Sequence, residues 1–135
     1  MANFTLSKIE AIKAKQPVFK LIKSGRCQFD KFEKEAKKRY KTEVAKIYQY
    51  LEQAANLNRL PSTKFKDITP KNEKVKEHEV KTKNLRVYII KEGGGKIIVL
   101  GGYKKNQTKD LNKFRSIKKE YLEGESYEKR RASEE

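Results

Sequence analysis

Cysteine and histidine are nearly absent from this 135-residue chain, with one of each. Cys27 alone can close no internal disulfide, and with His78 as the sole histidine no zinc site of the usual Cys and His spacing can be assembled. Long hydrophobic runs are lacking too. The longest span a handful of residues, where a bilayer crossing needs roughly 20, and Met1 to Gln16 has no signal-peptide core. The expectation is a soluble, cytoplasmic protein with no membrane contact. Acids are outnumbered, 18 Asp and Glu against 34 Lys and Arg, which leaves a net charge of +16. Such an excess gathers polyanions by long-range attraction and makes nucleic acid the default partner, although phosphate neutralisation alone is blind to base sequence. Most acids lie beside lysines, as on solvated faces, and neither a phosphate-cradling loop nor a nucleophile elbow is found. No metal and no small-molecule cofactor is expected.

What the chain does have is a pair of apolar, β-branched runs, Leu85 to Lys91 and Lys96 to Tyr103, joined by Glu92-Gly93-Gly94-Gly95. Glycine supplies the positive φ of a tight turn, so this reads as an antiparallel hairpin. By the period of two, Leu85, Val87 and Ile89 share one face while Arg86, Tyr88 and Ile90 share the other. An arginine on an otherwise apolar strand calls for a reason. The second arm ends in Gly101-Gly102 and runs into a basic exit loop, Tyr103-Lys104-Lys105-Asn106-Gln107-Thr108-Lys109-Asp110.

The remainder divides around that hairpin. Residues 1–16 read as an N-terminal appendage with a short helix from Lys8, capped by Ser7. Pro17 to Lys23 suits a first strand. From Gln28 the period becomes helical, through Phe29, Phe32, Ala36 and Tyr40 and then Val44, Ile47, Tyr48, Leu51 and Ala55: one long helix or two forming a helical hairpin. Lys34, Lys37, Lys38 and Lys41 read as its solvated side. Val75 to Lys81 can pair as an edge strand or remain a loop. Leu111, Phe114, Ile117, Tyr121 and Leu122 mark a last helix, with Asp110 at its first turn and Gly124 as its stop, followed by a charged, disordered tail, 124–135. The expected domain, 17–123, is α+β: a small antiparallel sheet with an N-terminal helical hairpin and a C-terminal helix on one face. The other face stays concave, solvated and basic. It carries Arg86 and Tyr88, with Lys81, Lys83 and Lys104 nearby.

Ser24-Gly25-Arg26-Cys27-Gln28-Phe29-Asp30-Lys31-Phe32, Lys83-Asn84-Leu85-Arg86-Val87-Tyr88 and Ile98-Val99-Leu100-Gly101-Gly102-Tyr103-Lys104-Lys105-Asn106-Gln107 together resemble the RelE/ParE superfamily of bacterial toxin-antitoxin toxins, its phage-derived, HigB-like branch above all. The likeness spans about Pro17 to Leu122. It implies a ribosome-dependent mRNA endonuclease, an mRNA interferase that arrests translation, with mRNA, the ribosome and a cognate antitoxin protein as partners. It further implies that Arg86 binds the scissile phosphate and that Lys104 assists from the end of the next strand. The tyrosine or histidine that many members carry at the start of the last helix has no counterpart between Asn106 and Asn112.

Tyr103 and His78 are the candidate acid-base substitutes. Tyr103 would serve as a base only if Lys104 and Lys105 favoured its phenolate, and its bland alternative is an aromatic packed at a strand end. His78 titrates in the useful range, against the alternative of an idle histidine on an edge strand. Lys81, Lys83, Lys105, Lys109 and Lys113 are the candidate RNA-binding residues. Two rival readings accompany the nuclease: a non-catalytic basic protein that binds RNA or the ribosome, and a toxin that inhibits gyrase.

Overall fold

In a computed structural model, the backbone of residues 3–134 and the side chains of residues 3–124 are described. The central hairpin is there. Its arms are β5 (Leu85–Glu92) and β6 (Gly95–Tyr103), and its turn residues Gly93 and Gly94 have φ of 59° and 79°, the positive values a tight two-residue turn requires. Leu85 pairs with Tyr103, Arg86 with Gly102 and Val87 with Gly101, and the register slips between Tyr88 and Ile89.

Four more strands complete the sheet: β1 (Phe4–Lys8), β2 (Val18–Lys23), β3 (Phe65–Asp67) and β4 (Glu77–Lys81). Their order is β1-β2-β6-β5-β4-β3. The sheet is mixed rather than antiparallel, because β2 lies parallel to β6 with Val18, Phe19 and Lys20 opposite Lys96, Ile97 and Ile98. Residues 4–8 form no helix and no appendage. They pair antiparallel with β2, Phe4 meets the Tyr121 ring edge-on at 5.6 Å, and Ile9 and Ile12 are buried. A run this short can satisfy its backbone groups on a neighbouring strand more readily than in a helix of a turn or two. Nor is β4 an edge, since β3 covers it through Phe65 opposite Val80 and Asp67 opposite His78.

Helix α1 (Gln28–Ala55) breaks at Tyr40, whose φ of −126° and ψ of 43° are not helical. The Phe29 and Tyr48 rings nevertheless lie 6.2 Å apart, and the Tyr48 hydroxyl donates to Glu33. In a straight helix residues 29 and 48 would be about 28 Å apart at 1.5 Å per residue. The chain therefore reverses at Tyr40 into a helical hairpin. Helix α2 (Gln107–Glu134) runs through Gly124 instead of stopping there, because Gly124 does not take up the left-handed conformation that ends helices. The tail expected after residue 124 continues that helix to Glu134, and its side chains lie outside the described residues.

The two helices cover opposite faces of the sheet, not one. Val18, Val80, Leu85, Val87, Ile89 and Ile98 pack with the α1 hairpin. Leu21, Tyr88, Ile90, Ile97, Val99 and Leu100 pack with Phe114, Ile117 and Tyr121 of α2. The face expected to stay open and basic is thus a second core. The paired glycines of β6 serve both layers. A Cβ on Gly101 would fall inside the Phe32 ring, and one on Gly102 would fall on the Asp110 carboxylate.

Candidate nucleic-acid interface

The residue singled out first, Arg86, lies in the second core. It is 5% exposed, and its guanidinium donates to the backbone oxygens of Thr82 (2.5 Å) and Leu85 (2.7 Å). Tyr88 beside it is fully buried. Burial first, then the charges of Glu79 and Asp110, raise its phenol well above the ordinary tyrosine value. Arg86 therefore braces the β4–β5 turn and does not face solvent. The correction follows from α2, whose first turns close over this end of the strand. Lys81 opposes Arg86 in the register and is half-buried.

His78 is half-buried and stacks on Phe65 with ring centroids 4.6 Å apart. Burial lowers its pKa more than the Asp67 charge raises it, so it is neutral at pH 7. It pairs with Ile89, whereas Tyr103 pairs with Leu85 on the far side of β5. Four residues of strand, about 13 Å, separate the two levels. His78 and Tyr103 do not share a site. Lys113 points elsewhere, its Nζ donating to Gln28 Oε1 at 3.1 Å.

Tyr103, Lys104 and Lys105 do come together, with partners from the reversal of α1. Glu35, Lys38, Arg39, Tyr40, Asn84, Tyr103, Lys104 and Lys105 line an open cleft of about 860 Å³. Its floor is aromatic. The Tyr40 and Tyr103 rings are 6.1 Å apart and tilted by 55°, and Tyr103 is backed by the Phe32 ring at 5.9 Å, edge to face. Its rim is cationic: Lys38, Arg39, Lys104 and Lys105 against one acid, Glu35, which pairs with Lys38 at 3.5 Å. The Arg39 guanidinium sits 5.8 Å from the centroid of the Tyr40 ring, within cation–π range. Next to the cleft, Lys104, Lys105 and Lys109 border a shallow polar depression with Asn106, Gln107, Thr108 and Asn112. Lys83 is exposed in the turn that also carries Asn84.

This geometry is held from behind. Glu43, on the second arm of the hairpin, accepts from Thr82 Oγ1 (2.5 Å), Asn84 N (2.7 Å) and Asn84 Nδ2 (2.7 Å). The Asn84 carbonyl in turn accepts from Lys104 N at 2.9 Å. One carboxylate thereby ties the helical hairpin, the β4–β5 turn and the strand exit together. Burial, followed by the charges of Glu35 and Tyr40, raises the Tyr103 pKa. Its phenol therefore keeps its proton at neutral pH and suits a proton donor, not the base its lysine neighbours suggested.

Sequence reasoning left Lys38 on a solvated helix side, gave Arg39 no role, and missed Tyr40 as a site residue. A signal was present in Lys37-Lys38-Arg39-Tyr40-Lys41, an aromatic set within a run of cations at the point of reversal. Among the described residues no group of His, Cys, Asp and Glu could hold a metal ion, and no helix is long and apolar enough to cross a membrane. Comparison with protein-family models, with curated proteins and with solved structures gives no match for this chain.

Proposed function

We propose that the chain is a RelE/ParE-like toxin that engages mRNA on the ribosome through the cleft between the α1 reversal and the end of β6. The observation that carries this reading is the convergence of Lys38, Arg39, Lys104 and Lys105 around two tyrosines at one end of a strongly basic molecule. Cations in such a cluster neutralise phosphates, and their effect falls steeply with salt. The order of elements supports the same reading: β2, a helical hairpin, the β4-β5-β6 meander and a terminal helix form the succession that the sequence resemblance leads one to expect.

If the protein cleaves, the groups within reach are those of the cleft. Attack of a ribose 2′-oxygen on the adjacent phosphorus, with its proton passing to water, builds negative charge that Lys104 and Lys105 are positioned to stabilise, and as the bond to the 5′-oxygen breaks the protonated Tyr103 can donate to that leaving oxygen. The ribosome would supply the orientation that an open cleft lacks. A second reading, binding without cleavage, is favoured by the burial of Arg86, which removes the strand arginine from contact with a phosphate.

The test is a translation reaction with purified protein, in which the ends of ribosome-bound message are mapped. Codon-phased cuts, lost when Lys104 and Lys105 are both replaced by alanine, are the expected outcome of the nuclease. Blocked translation with intact message assigns the binding protein. Unimpaired translation with DNA damage in expressing cells would transfer the reading to gyrase inhibition, and unimpaired translation with no ribosome binding would end the mRNA reading altogether.

A further inference from the structure

We infer that the cleft takes single-stranded RNA, with an unpaired base stacked on the Tyr40–Tyr103 aromatic floor and the flanking phosphates held by Lys38, Lys104 and Lys105. The inference rests on the RNA-binding reading above and deepens it by naming the form of RNA and the mode of contact. Three features of the cleft argue for it. First, Tyr40 occupies the single non-helical position of α1, at the reversal, where its side chain lines the cleft and remains only partly covered. Second, the rings are backed. Tyr103 meets the Phe32 ring at 5.9 Å and Tyr40 meets Tyr103 at 6.1 Å, so each ring already has an aromatic neighbour before a base arrives. Third, the charge is at the rim and the rings are on the floor, which is how proteins that bind single strands combine an electrostatic groove with a stacking platform.

A duplex fits this arrangement poorly. Its bases are stacked on one another and present no free π-face, so only its phosphates could reach the rim. The volume of about 860 Å³ lies within the range of roughly 300–1,000 Å³ typical of pockets for small ring systems. Arg39 adds a planar cation beside the Tyr40 ring, a surface on which a base can also lie. Asn84 and Lys104 are joined through the backbone, and Asn84 is anchored on Glu43, so rim and floor keep their spacing.

The test compares labelled single-stranded RNA of about ten nucleotides with a blunt duplex of the same composition, by fluorescence anisotropy over a series of salt concentrations. The wild-type protein should prefer the single strand by tenfold or more at equal salt. Because the chain has seven tyrosines and no tryptophan, its intrinsic emission is tyrosine emission, and it should be quenched by the single strand but not by the duplex. Tyr40→Leu keeps apolar contact with Tyr103 and removes the ring. It should weaken single-strand binding by about 5- to 150-fold, the scale of one stacked base, with the salt slope unchanged. Lys104→Ala with Lys105→Ala should instead flatten the slope by about 1.4, at about 0.7 for each phosphate contact on a single strand. Equal affinity for single strand and duplex, with no quenching and no loss in Tyr40→Leu, would overturn the stacking inference while leaving RNA binding intact. Failure to bind either RNA would overturn the inference as well, whereas the ribosome-dependent reading stands or falls by the mapped ends of ribosome-bound message, so the two failures are distinguishable.

Discussion

Beneath α1 the sheet presents Val18, Val80, Leu85, Val87, Ile89 and Ile98 to helix side chains that are almost all apolar, whereas beneath α2 it presents Glu77, Glu79 and Arg86 among the hydrocarbons. On the second face, Glu77 is gripped by Lys118 at 2.9 Å and Arg115 at 3.1 Å, and Glu79 accepts from Gln107 Nε2 at 2.8 Å. Charge on an inward strand position therefore has two explanations, a solvated binding face or a helix of complementary charge. Alternation along the strand cannot distinguish them, because it fixes which residues share a face and not what covers it. Here the complement arrives some forty residues later, in Lys118 and Arg115 of α2. The solvated cations gather elsewhere, at the end of the apolar layer where α1 turns back.

The comparison breaks hardest at Glu77. Replacing it with alanine leaves the buried Lys118 ammonium without its carboxylate, and about 3–5 kcal/mol of stability should be lost in urea denaturation. Glu77→Leu combined with Lys118→Met should recover most of that loss, since well-packed apolar replacements of a buried pair are often neutral. If the double variant is no more stable than Glu77→Ala, the charged layer specifies the fold in a way that packing cannot replace.

Arg86 comes next. Arg86→Met removes two charge-assisted bonds to Thr82 and Leu85 carbonyls and should cost about 1.5–3 kcal/mol, with RNA affinity unchanged in the folded fraction. A variant that kept full stability but lost the message cleavage proposed above would return Arg86 to the chemistry and would mean that α2 lifts away from this end of the sheet. On the apolar face the matching test is Gly101→Ala. Its methyl group would clash with the buried Phe32 ring, which already packs against Phe29 and Tyr103, so overpacking should cost about 1–3 kcal/mol. Gly102→Ala should cost less, because the Asp110 carboxylate it meets is the end of a side chain that can rotate away. Thermal melts of the two variants would rank them.

Much of this layering could be read from the residues. The β5–β6 hairpin follows from its glycines and β-branched runs, β2 from Pro17 and Ser24-Gly25 at its bounds, and the helical hairpin from the two apolar periods on either side of Tyr40. The parts that escaped depend on partners distant in sequence. Phe4 to Lys8 is too short for periodicity to decide between helix and strand, and it becomes a strand because β2 offers an edge. Arg86 looked available because nothing within its own strand covers it. Tyr103, Lys104 and Lys105 were legible as a basic exit carrying an aromatic, but the other half of their cleft, Lys38 to Tyr40, reaches them only through the reversal of α1. A basic run is ambiguous by itself; one broken by an aromatic at a helix reversal is more informative.

The smallest effect is also the one that sets the two faces against each other by sign. Burial alone would raise the pKa of Glu43, but the bonds from Thr82 and Asn84 to its ionised form outweigh it, and the net shift is downward. Burial raises the pKa of Asp110, across the sheet, more than Lys113 and Lys109 lower it. A carboxyl whose folded pKa lies below its unfolded value contributes stability that is complete above the unfolded value, about 4.3 for glutamate, and that fades as pH falls through the folded one. For a raised carboxyl the sign reverses. Ionised Asp110 opposes folding above its folded pKa, and that penalty disappears below the unfolded value, about 3.9 for aspartate. Glu43→Gln should accordingly be less stable than wild type at pH 7, with the gap narrowing toward pH 3. Asp110→Asn should be more stable at pH 7, with its gain narrowing over the same interval. Urea midpoints at pH 7, 5 and 3 would measure both. Gaps of the same size at every pH would mean that shape and not charge accounts for the two sites. A Glu43→Gln gap that closes in acid, accompanied by weaker RNA binding at pH 7, would instead identify the brace behind Asn84 as part of what holds the cleft open.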